Sequence, residues 1–302
     1  MSEDIPYNRE PPAVGISENL SPGVRRIVAP NGGPFTFTGT CSYIVGHGIV
    51  AIVDPGPDDP IHIAALLAAV AGEKVAAIAL THTHRDHSLA VPALVAATGA
   101  RTYGAGPHRS ARPMHQGEIN LLDAAGDMAF RPDILLADGE AIEGPDWRLA
   151  AIATPGHCAN HLAFALAGDE VLLSGDHVMA WSTSIVAPPD GAMGDYMASL
   201  RKLIGRPETR YFPGHGGPVL QPQRFVQAMI RHRLLREASI LEALRDGPAP
   251  IAVLTRRVYA GLQPSLFGAA ALNLFAHLED LIQQGRVGTH GPPSFDGTYW
   301  LA

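Results

Sequence analysis

Seven consecutive residues constrain this chain more than any other feature. They read Thr-His-Thr-His-Arg-Asp-His from position 81 to 87, and four of them are potential metal ligands. They end an apolar run that predicts a buried strand, and a predicted helix follows them. Imidazoles and a carboxylate at this spacing can face two neighbouring cations. The imidazoles belong to His82, His84 and His87, and the carboxylate to Asp86.

Three later segments place further potential ligands at the ends of predicted strands. These are TPGH at 154–157, SGD at 174–176 and FPGHG at 212–216. Their glycines permit tight turns beside a metal. The alternation of strands and helices without a repeat predicts an α/β layered domain with its chemistry at strand ends. The later ligands predicted in this way are His157, Asp176 and His215.

This order of HxHxDH, a later His, a later Asp and a last His resembles the metallo-β-lactamase superfamily, over residues from about 24 to 220. The resemblance implies an αββα sandwich of the α/β class that binds two divalent ions. It implies that the first ion is held by His82, His84 and His157. It implies that the second is held by Asp86, His87 and His215, with Asp176 bridging both.

Five imidazoles and two carboxylates suit zinc best, although manganese or iron(II) also binds such mixed donor sets. By the same resemblance, a hydroxide that bridges the two ions is the nucleophile, and Asp86 orients the attacking water as the catalytic carboxylate. No serine or cysteine nucleophile is required.

Two further residues have alternative interpretations. Asp54, in Val-Asp-Pro-Gly, matches the strand-end aspartate of the family, which orients metal ligands, but a turn aspartate before proline has the same pattern. His161 lies four residues after His157, where relatives have a substrate-facing or ligand-orienting histidine. Structural hydrogen bonding is the alternative for His161.

The remaining histidines are predicted to be structural or solvent-facing, and both cysteines to be structural. His177 is expected to point away from Asp176 if the segment stays extended. Cys41 and Cys158 are expected to be reduced, small buried side chains. The histidines without partners in the sequence pattern are His47, His62, His108, His115, His232, His277 and His290.

We place a domain boundary at residue 220, so that 1–220 form the catalytic domain and 221–302 a winged-helix-like domain. The second region contains three predicted helices followed by a hairpin. With this region included, nearly the whole chain resembles the beta-lactamase-like protein 2 family. The third helix, 265–284, has no Lys or Arg, so we expect it to pack against the catalytic domain rather than enter a DNA groove.

Charge limits the partners. The formal net charge is -7, with +2 in residues 221–302 (eight Arg against six acids) and -9 in the rest. This is not the footprint of a protein that binds duplex nucleic acid. Five arginines either line a channel toward the metals or lie on solvated helix surfaces: Arg231, Arg233, Arg236, Arg256 and Arg257.

Neither a secretory leader nor an 18-residue apolar stretch is visible, so we expect a cytoplasmic protein that does not engage a membrane. Two segments, 107–133 and 180–196, are expected to shape the pocket. For the first, a cover over the active site and a surface helical insertion are equally compatible with the sequence.

The sequence therefore predicts a dinuclear metallohydrolase that cleaves a carboxyl derivative: a thioester, ester or lactone. A single-stranded RNA endoribonuclease is the alternative, and a small molecule is the favoured partner over single-stranded RNA. A nucleic-acid-binding regulator without turnover is less favoured, because no ligand is missing. Aspartate at 176, where true β-lactamases place cysteine or serine, disfavours antibiotic hydrolysis. His84 occupies the position at which redox relatives need a glutamate, and this disfavours redox chemistry.

Overall fold

The computed structural model describes residues 5–302. Its first sheet contains β1 (Glu18–Ser21), β2 (Val24–Val28), β3 (Cys41–Val45), β4 (Ile49–Val53), β5 (Lys74–Ala79), β6 (Arg101–Gly104) and β7 (Ile134–Leu135). These strands lie side by side in chain order. The pairs from β1 to β4 are antiparallel, and those from β4 to β7 are parallel.

The second sheet contains β8 (Ala141–Glu143), β9 (Arg148–Ala153), β10 (Leu162–Leu166), β11 (Val171–Gly175) and β12 (Arg210–Pro213). Its order is β12-β11-β10-β9-β8, and only the β11–β12 pair is parallel. The helices are α1 (Pro60–Ala69), α2 (Arg85–Ser88), α3 (Val91–Thr98), α4 (Met193–Lys202), α5 (Pro222–Leu244), α6 (Ile251–Val258) and α7 (Phe267–Gln283).

The two-residue period of the strands sorts their side chains into separate cores. In β10, Leu162, Phe164 and Leu166 face the first sheet, whereas Ala163 and Ala165 face the helices on the other side. Both sheets are thus apolar on both faces. Helices α1 and α3 cover the first sheet, and α4 and α5 cover the second. The result is the αββα sandwich that the sequence predicted.

Helix α1 illustrates how local sequence sets an element boundary. The carboxylate of Asp59 accepts hydrogen bonds from the Ile61 and His62 amides, which have no partner within the helix. Pro60 occupies the first turn, where its missing N–H costs nothing. The predicted helix therefore begins where its sequence signals it.

The C-terminal region has its own small core around α6, α7 and a third sheet, in which β13 (Ala249–Pro250), β15 (Thr298–Leu301) and β14 (Val287–Thr289) lie in that order. Helix α5 belongs to both parts. Phe225 and Met229 are buried in the core of the sandwich, whereas Ile240 and Leu244 are buried in the C-terminal core. The predicted boundary at residue 220 falls just before this shared helix and stays a prediction.

Helix α7 packs against α4 of the sandwich, in agreement with the packing predicted from its lack of basic residues. Across residues 5–302, none of the helices combines the length and apolar character needed to cross a bilayer. The first four residues, which form part of the segment where a leader would begin, lie outside the described residues.

Candidate metal centre

The predicted ligands come together at one edge of the sandwich, beyond the ends of four strands. The 82–87 motif follows β5, His157 follows β9, Asp176 follows β11 and His215 follows β12. Glycine at 214 is required by this convergence, because a side chain there would collide with the Asp176 carboxylate. The sheets thus bring residues that are far apart in sequence into one buried cluster.

Three imidazoles form the first group. Nε2 of His82 and Nε2 of His157 each lie 3.0 Å from Nδ1 of His84. Around a tetrahedral ion with bonds of about 2.0–2.1 Å, neighbouring ligand atoms lie about 3.3 Å apart. The three nitrogens therefore have the spacing of ligands to one ion.

Asp86, His87 and His215 form the second group. Nε2 of His87 and Nε2 of His215 lie 3.5 Å and 3.4 Å from Oδ2 of Asp86. The Asp176 carboxylate lies between the groups, with Oδ2 3.3 Å from His215 Nε2 and 3.7 Å from His157 Nε2. Asp176 is therefore placed to bridge two ions.

The second nitrogen of each imidazole is engaged on the side away from the cluster. His82 Nδ1 lies 3.0 Å from Thr81 Oγ1, His157 Nδ1 2.6 Å from Ile185 O, and His215 Nδ1 3.2 Å from Gly39 O. His87 Nδ1 lies 3.0 Å from Asp54 Oδ2, and His84 Nε2 3.3 Å from Cys158 Sγ. Such outward contacts fix the ring orientation and tautomer of metal-binding histidines.

Two buried atoms inside the cluster form no hydrogen bond in the described chain: His87 Nε2 and Asp176 Oδ1. Buried polar atoms without partners are rare in folded proteins and call for an unseen partner such as an ion. The donor set, the spacing and these two atoms all fit a pair of divalent metal ions.

The two groups differ in their affinity for protons. Burial, reinforced by the charges of neighbouring imidazoles, lowers the pKa of His84 to about 3 and holds the pKa of His82 well below its usual value. Burial also opposes charge on His87, but Asp86, Asp176 and Asp54 outweigh it and raise its pKa to about 9. The same carboxylates, 86 and 176, raise the pKa of His215 well above its usual value.

The structure places both of the residues with alternative interpretations around the ligands. Asp54 accepts hydrogen bonds from Thr81 N and Thr81 Oγ1, each at 2.7 Å, besides its contact with His87. His161 is buried, with Nδ1 2.8 Å from Thr154 Oγ1, and its Nε2 accepts a hydrogen bond from Asp176 N. Both ring nitrogens are thus engaged within the protein.

The sequence patterns missed three neighbours of the centre. Thr40 donates a hydrogen bond to Asp86 Oδ2 at 3.1 Å, and Cys158 contacts His84 rather than serving only as a small apolar side chain. His108 Nδ1 lies 2.9 Å from Thr83 Oγ1, and its Nε2 lies 3.3 Å from an Asp190 carboxylate oxygen. Only Cys158 carried a signal, because it directly follows His157.

The segment 107–133 lies beside the centre as an irregular chain with one short 3-10 turn, not as a helical insertion. Asp127 N donates to Thr83 O at 2.8 Å, and Ala111 N donates to Pro189 O at 2.8 Å. Arg112 joins this segment to α7 through Glu279. The interpretation of this segment as a cover is thereby favoured.

The basic side chains of the C-terminal region do not form a common channel. Arg233 is buried and reaches a loop next to the centre, whereas Arg231, Arg256 and Arg257 are exposed. Arg236 lies over the ring of Tyr259. His177 is buried with its ring against that of Tyr196, but residues 176–177 form a turn after β11, not the extended segment on which its predicted direction depended.

Comparison with protein families gives two matches. Residues 35–215 match the family described as the metallo-beta-lactamase superfamily. Residues 251–292 match the family described as the beta-lactamase associated winged helix domain. Together these confirm the resemblances drawn from the ligand motifs and from the helix order of the C-terminal region.

Two curated relatives are similar over most of the chain. A beta-lactamase-like protein 2 homolog from Caenorhabditis elegans is 29% identical over 291 residues, which cover 94% of this chain and 91% of that protein. A protein from Aspergillus fumigatus named atrochrysone carboxyl ACP thioesterase is 28% identical over 233 residues, which cover 75% of this chain and 66% of that protein.

Solved structures show the same architecture. A metallo-beta-lactamase family protein from Thermus thermophilus is 26% identical with a TM-score of 0.76, covering 94% of this chain and all (100%) of that one. TTHA1623, solved in a di-iron-bound form, is 27% identical with a TM-score of 0.50, covering 69% of this chain and 96% of that one.

Proposed function

The chain belongs to the metallo-β-lactamase superfamily, and we propose that it is a dinuclear metallohydrolase acting on a carboxyl derivative, with thioesters as the first substrate class. The observation that carries the proposal is the convergence of five imidazoles, each engaged outward through one nitrogen and directed inward through the other. A cluster built only for stability would not leave buried inward atoms such as His87 Nε2 without a hydrogen bond.

We propose that zinc is the native metal, because imidazole-rich sites with carboxylates suit it best; iron(II) and manganese bind similar sets. His82, His84 and His157 would hold the first ion, and Asp86, His87 and His215 the second, with Asp176 shared. Two such ions lower the pKa of a shared water toward 7 and polarise the bond to be cleaved.

The protein contributes orientation around this chemistry. The Asp86 carboxylate is ionised at neutral pH: although burial opposes its charge, His87 and His215 hold its pKa well below the usual range. Thr40 fixes one of its oxygens. With 29% of its side chain exposed, Asp86 is more open than either His87 or His215. These features support the proposed role of Asp86, which is to accept a hydrogen bond from the attacking water.

The choice of carbon over phosphorus chemistry rests on three observations. A relative covering 75% of the chain is named an acyl-carrier-protein thioesterase. Residues 1–220 carry a net charge of -9, which disfavours polyanionic substrates. In addition, α7 is buried against the catalytic domain, so the C-terminal region does not present its third helix to a nucleic-acid groove.

The test is hydrolysis of a panel of acyl thioesters, esters and lactones by zinc-loaded protein. We expect thioester turnover, and a loss of at least about 10²-fold in kcat/KM for Asp86→Ala. Asp246→Ala is the matched control, because this aspartate is exposed in the C-terminal region. Metal content is measured for each variant.

Two outcomes would overturn the proposed substrate class. Absence of turnover on every member of the panel by protein containing two ions would exclude carboxyl chemistry of these kinds. Cleavage of a fluorescent single-stranded RNA by the parent, but not by Asp86→Ala, would assign the chain to phosphodiester hydrolysis instead.

A further inference from the structure

A three-residue segment, 184–186, connects the candidate centre to the C-terminal domain. Its middle residue, Ile185, accepts a hydrogen bond through its carbonyl oxygen from His157 Nδ1, at 2.6 Å. Since Nδ1 must then carry the proton, Nε2 of His157 is left with a lone pair that faces His84. The carbonyl of Ile185 therefore sets both the tautomer and the orientation of a proposed metal ligand.

The first residue of the segment contacts the other side of the centre. Ser184 Oγ lies 2.5 Å from the carbonyl oxygen of Asp176 and 2.9 Å from that of His177. Ser184 is buried, so neither contact competes with solvent. The segment is thus hydrogen-bonded to the backbone of Asp176 as well as to the ring of His157.

Both flanks of the segment are held by side chains of the C-terminal domain. Arg233 on α5 donates a hydrogen bond to Ser184 O at 2.5 Å. Asn273 on α7 accepts one from Val186 N at 3.1 Å. The two side chains are also joined, because Arg233 donates to Asn273 Oδ1 at 3.0 Å.

The amide of Asn273 is itself fixed, since its nitrogen donates to Ala269 O one helical turn earlier. The two helices therefore present one connected pair of groups to the segment. The peptide units on either side of Ile185 cannot rotate without breaking a bond to this pair.

The burial of Arg233 indicates that this arrangement has a purpose beyond stability. Only 2% of the residue is exposed, and no carboxylate in the described part of the chain pairs with it. Its guanidinium lies over the ring of Tyr196, 5.0 Å from the centroid. A buried charge without a counter-charge costs free energy, which an apolar side chain at this position would avoid.

We propose that Arg233 and Asn273 are positioning residues through which the C-terminal domain holds His157 in its metal-binding orientation. They act only through the backbone of 184–186 and touch neither metal nor substrate. The inference rests on the proposed metal centre, and it assigns to the C-terminal domain a role in assembling that centre.

The test measures metal binding directly, by competition of Zn²⁺ with a chromophoric chelator, and needs no substrate. We expect Arg233→Met and Asn273→Ser to lower the affinity for one of the two ions about 10- to 100-fold. The affinity for the other ion should stay within about 3-fold of the parent value. The ion affected must be the one that is lost in His157→Ala. Arg233→Lys, which keeps a donor toward Ser184, is expected to restore part of the affinity.

Arg231→Met is the matched control, because Arg231 lies on the same helix but is exposed. We expect it to bind both ions like the parent. Near-UV circular dichroism of each variant reports whether the fold is kept. If a variant does not fold, ¹⁵N spectra of the histidines in the zinc-loaded parent must show a proton on His157 Nδ1, and its absence would overturn the proposal.

The outcomes separate this inference from the proposed function. A parent that binds fewer than two ions contradicts the proposed centre. A parent that binds two ions, with folded Arg233→Met and Asn273→Ser variants that bind both equally well, contradicts only the positioning role. An equal loss of affinity for both ions would also contradict the positioning role, because that result indicates a general loss of structure.

Discussion

At the scale of single residues, the two halves of the centre hold protons very differently before any ion binds. The pKa of His84 is about 3, because the ring is buried among other imidazoles, whereas carboxylates raise the pKa of His87 to about 9 against the effect of burial. At neutral pH His82 and His84 are neutral and ready to bind a cation. The second half is protonated and must release protons to do so.

This contrast predicts that the two ions respond differently to pH. An ion at His87 and His215 displaces protons at any pH below about 9, so its affinity should fall as the pH falls, by about tenfold per pH unit for each proton displaced. The other ion displaces no proton from His82 or His84 between pH 6 and pH 8, so its affinity should depend less steeply on pH. Chelator competition at pH 6, 7 and 8 measures both affinities, and equal pH slopes for the two ions would refute the assignment.

A second prediction at this scale concerns Asp54, which lies in the left-handed region with φ of 52° and holds both Thr81 and His87. Asp54→Ala should lower the affinity for the ion at His87 about 10- to 100-fold. It should also cost about 1–3 kcal/mol of stability, since the buried Thr81 amide loses its acceptor. The measurements are zinc competition and denaturant unfolding.

Asp54→Asn provides the control for Asp54→Ala. Asparagine tolerates a positive φ and keeps an acceptor for the Thr81 amide. We expect it to recover most of the stability but only part of the metal affinity. If both variants bind two ions like the parent, Asp54 is only a turn residue.

At the scale of elements, the strands and helices follow from patterns that are local in the sequence. Residues 162–166 alternate between two cores, and residues 60–69 have a cap and a proline at their start, so their types and approximate bounds could be predicted. The ligands at strand ends could be predicted too, because motif order identified them. The contacts of the irregular segments could not.

The contacts that the sequence did not predict join residues that are far apart in sequence. Arg112 pairs with Glu279, 167 residues away, and His108 with Asp190, and no local periodicity connects such partners. The same reason hid the contacts of the 184–186 segment, whose partners lie on two later helices. A long irregular segment gains its conformation from partners that its own sequence does not reveal.

The link between Arg112 and Glu279 leads to a prediction about segment 107–133. Arg112 also pairs with Glu118, so its removal frees the segment and leaves Glu279 buried without its cation. Arg112→Ala should cost about 1–3 kcal/mol and speed hydrogen exchange of amides in 108–122. Exchange measured by mass spectrometry tests this.

Arg148→Ala is the control for Arg112→Ala, since Arg148 pairs with Glu143 at the exposed surface. Exposed ion pairs contribute about 1 kcal/mol or less to the free energy of unfolding. It should leave exchange in 108–122 unchanged. Unaltered exchange in Arg112→Ala would show that the segment is held by other contacts.

At the scale of the whole molecule, the two parts of the chain share a helix and are not independent. The first half of α5 completes the catalytic core, while Arg233 and Asn273 hold the loop beside the centre. The C-terminal region is therefore part of the architecture that presents the ligands.

A chain ending at residue 220 is predicted not to fold into a rigid catalytic domain. It lacks Phe225 and Met229, whose exposures in the full chain are 1% and 0%. Loss of two such side chains removes about 5–10 kcal/mol, comparable with the whole stability of a typical domain. Near-UV circular dichroism and thermal unfolding test this, with Leu235→Ala in the full chain as the exposed control on the same helix. Cooperative unfolding of the short chain near the full-length Tm would contradict it.

The most direct test of the account is a crystal structure of the zinc-loaded protein with anomalous diffraction recorded on both sides of the zinc absorption edge. We expect two anomalous peaks, one among His82, His84 and His157 and the other among Asp86, His87 and His215, with Asp176 touching both. The absence of any peak in this cluster, or a single ion bound without Asp176, would contradict the dinuclear centre on which the proposed hydrolysis depends.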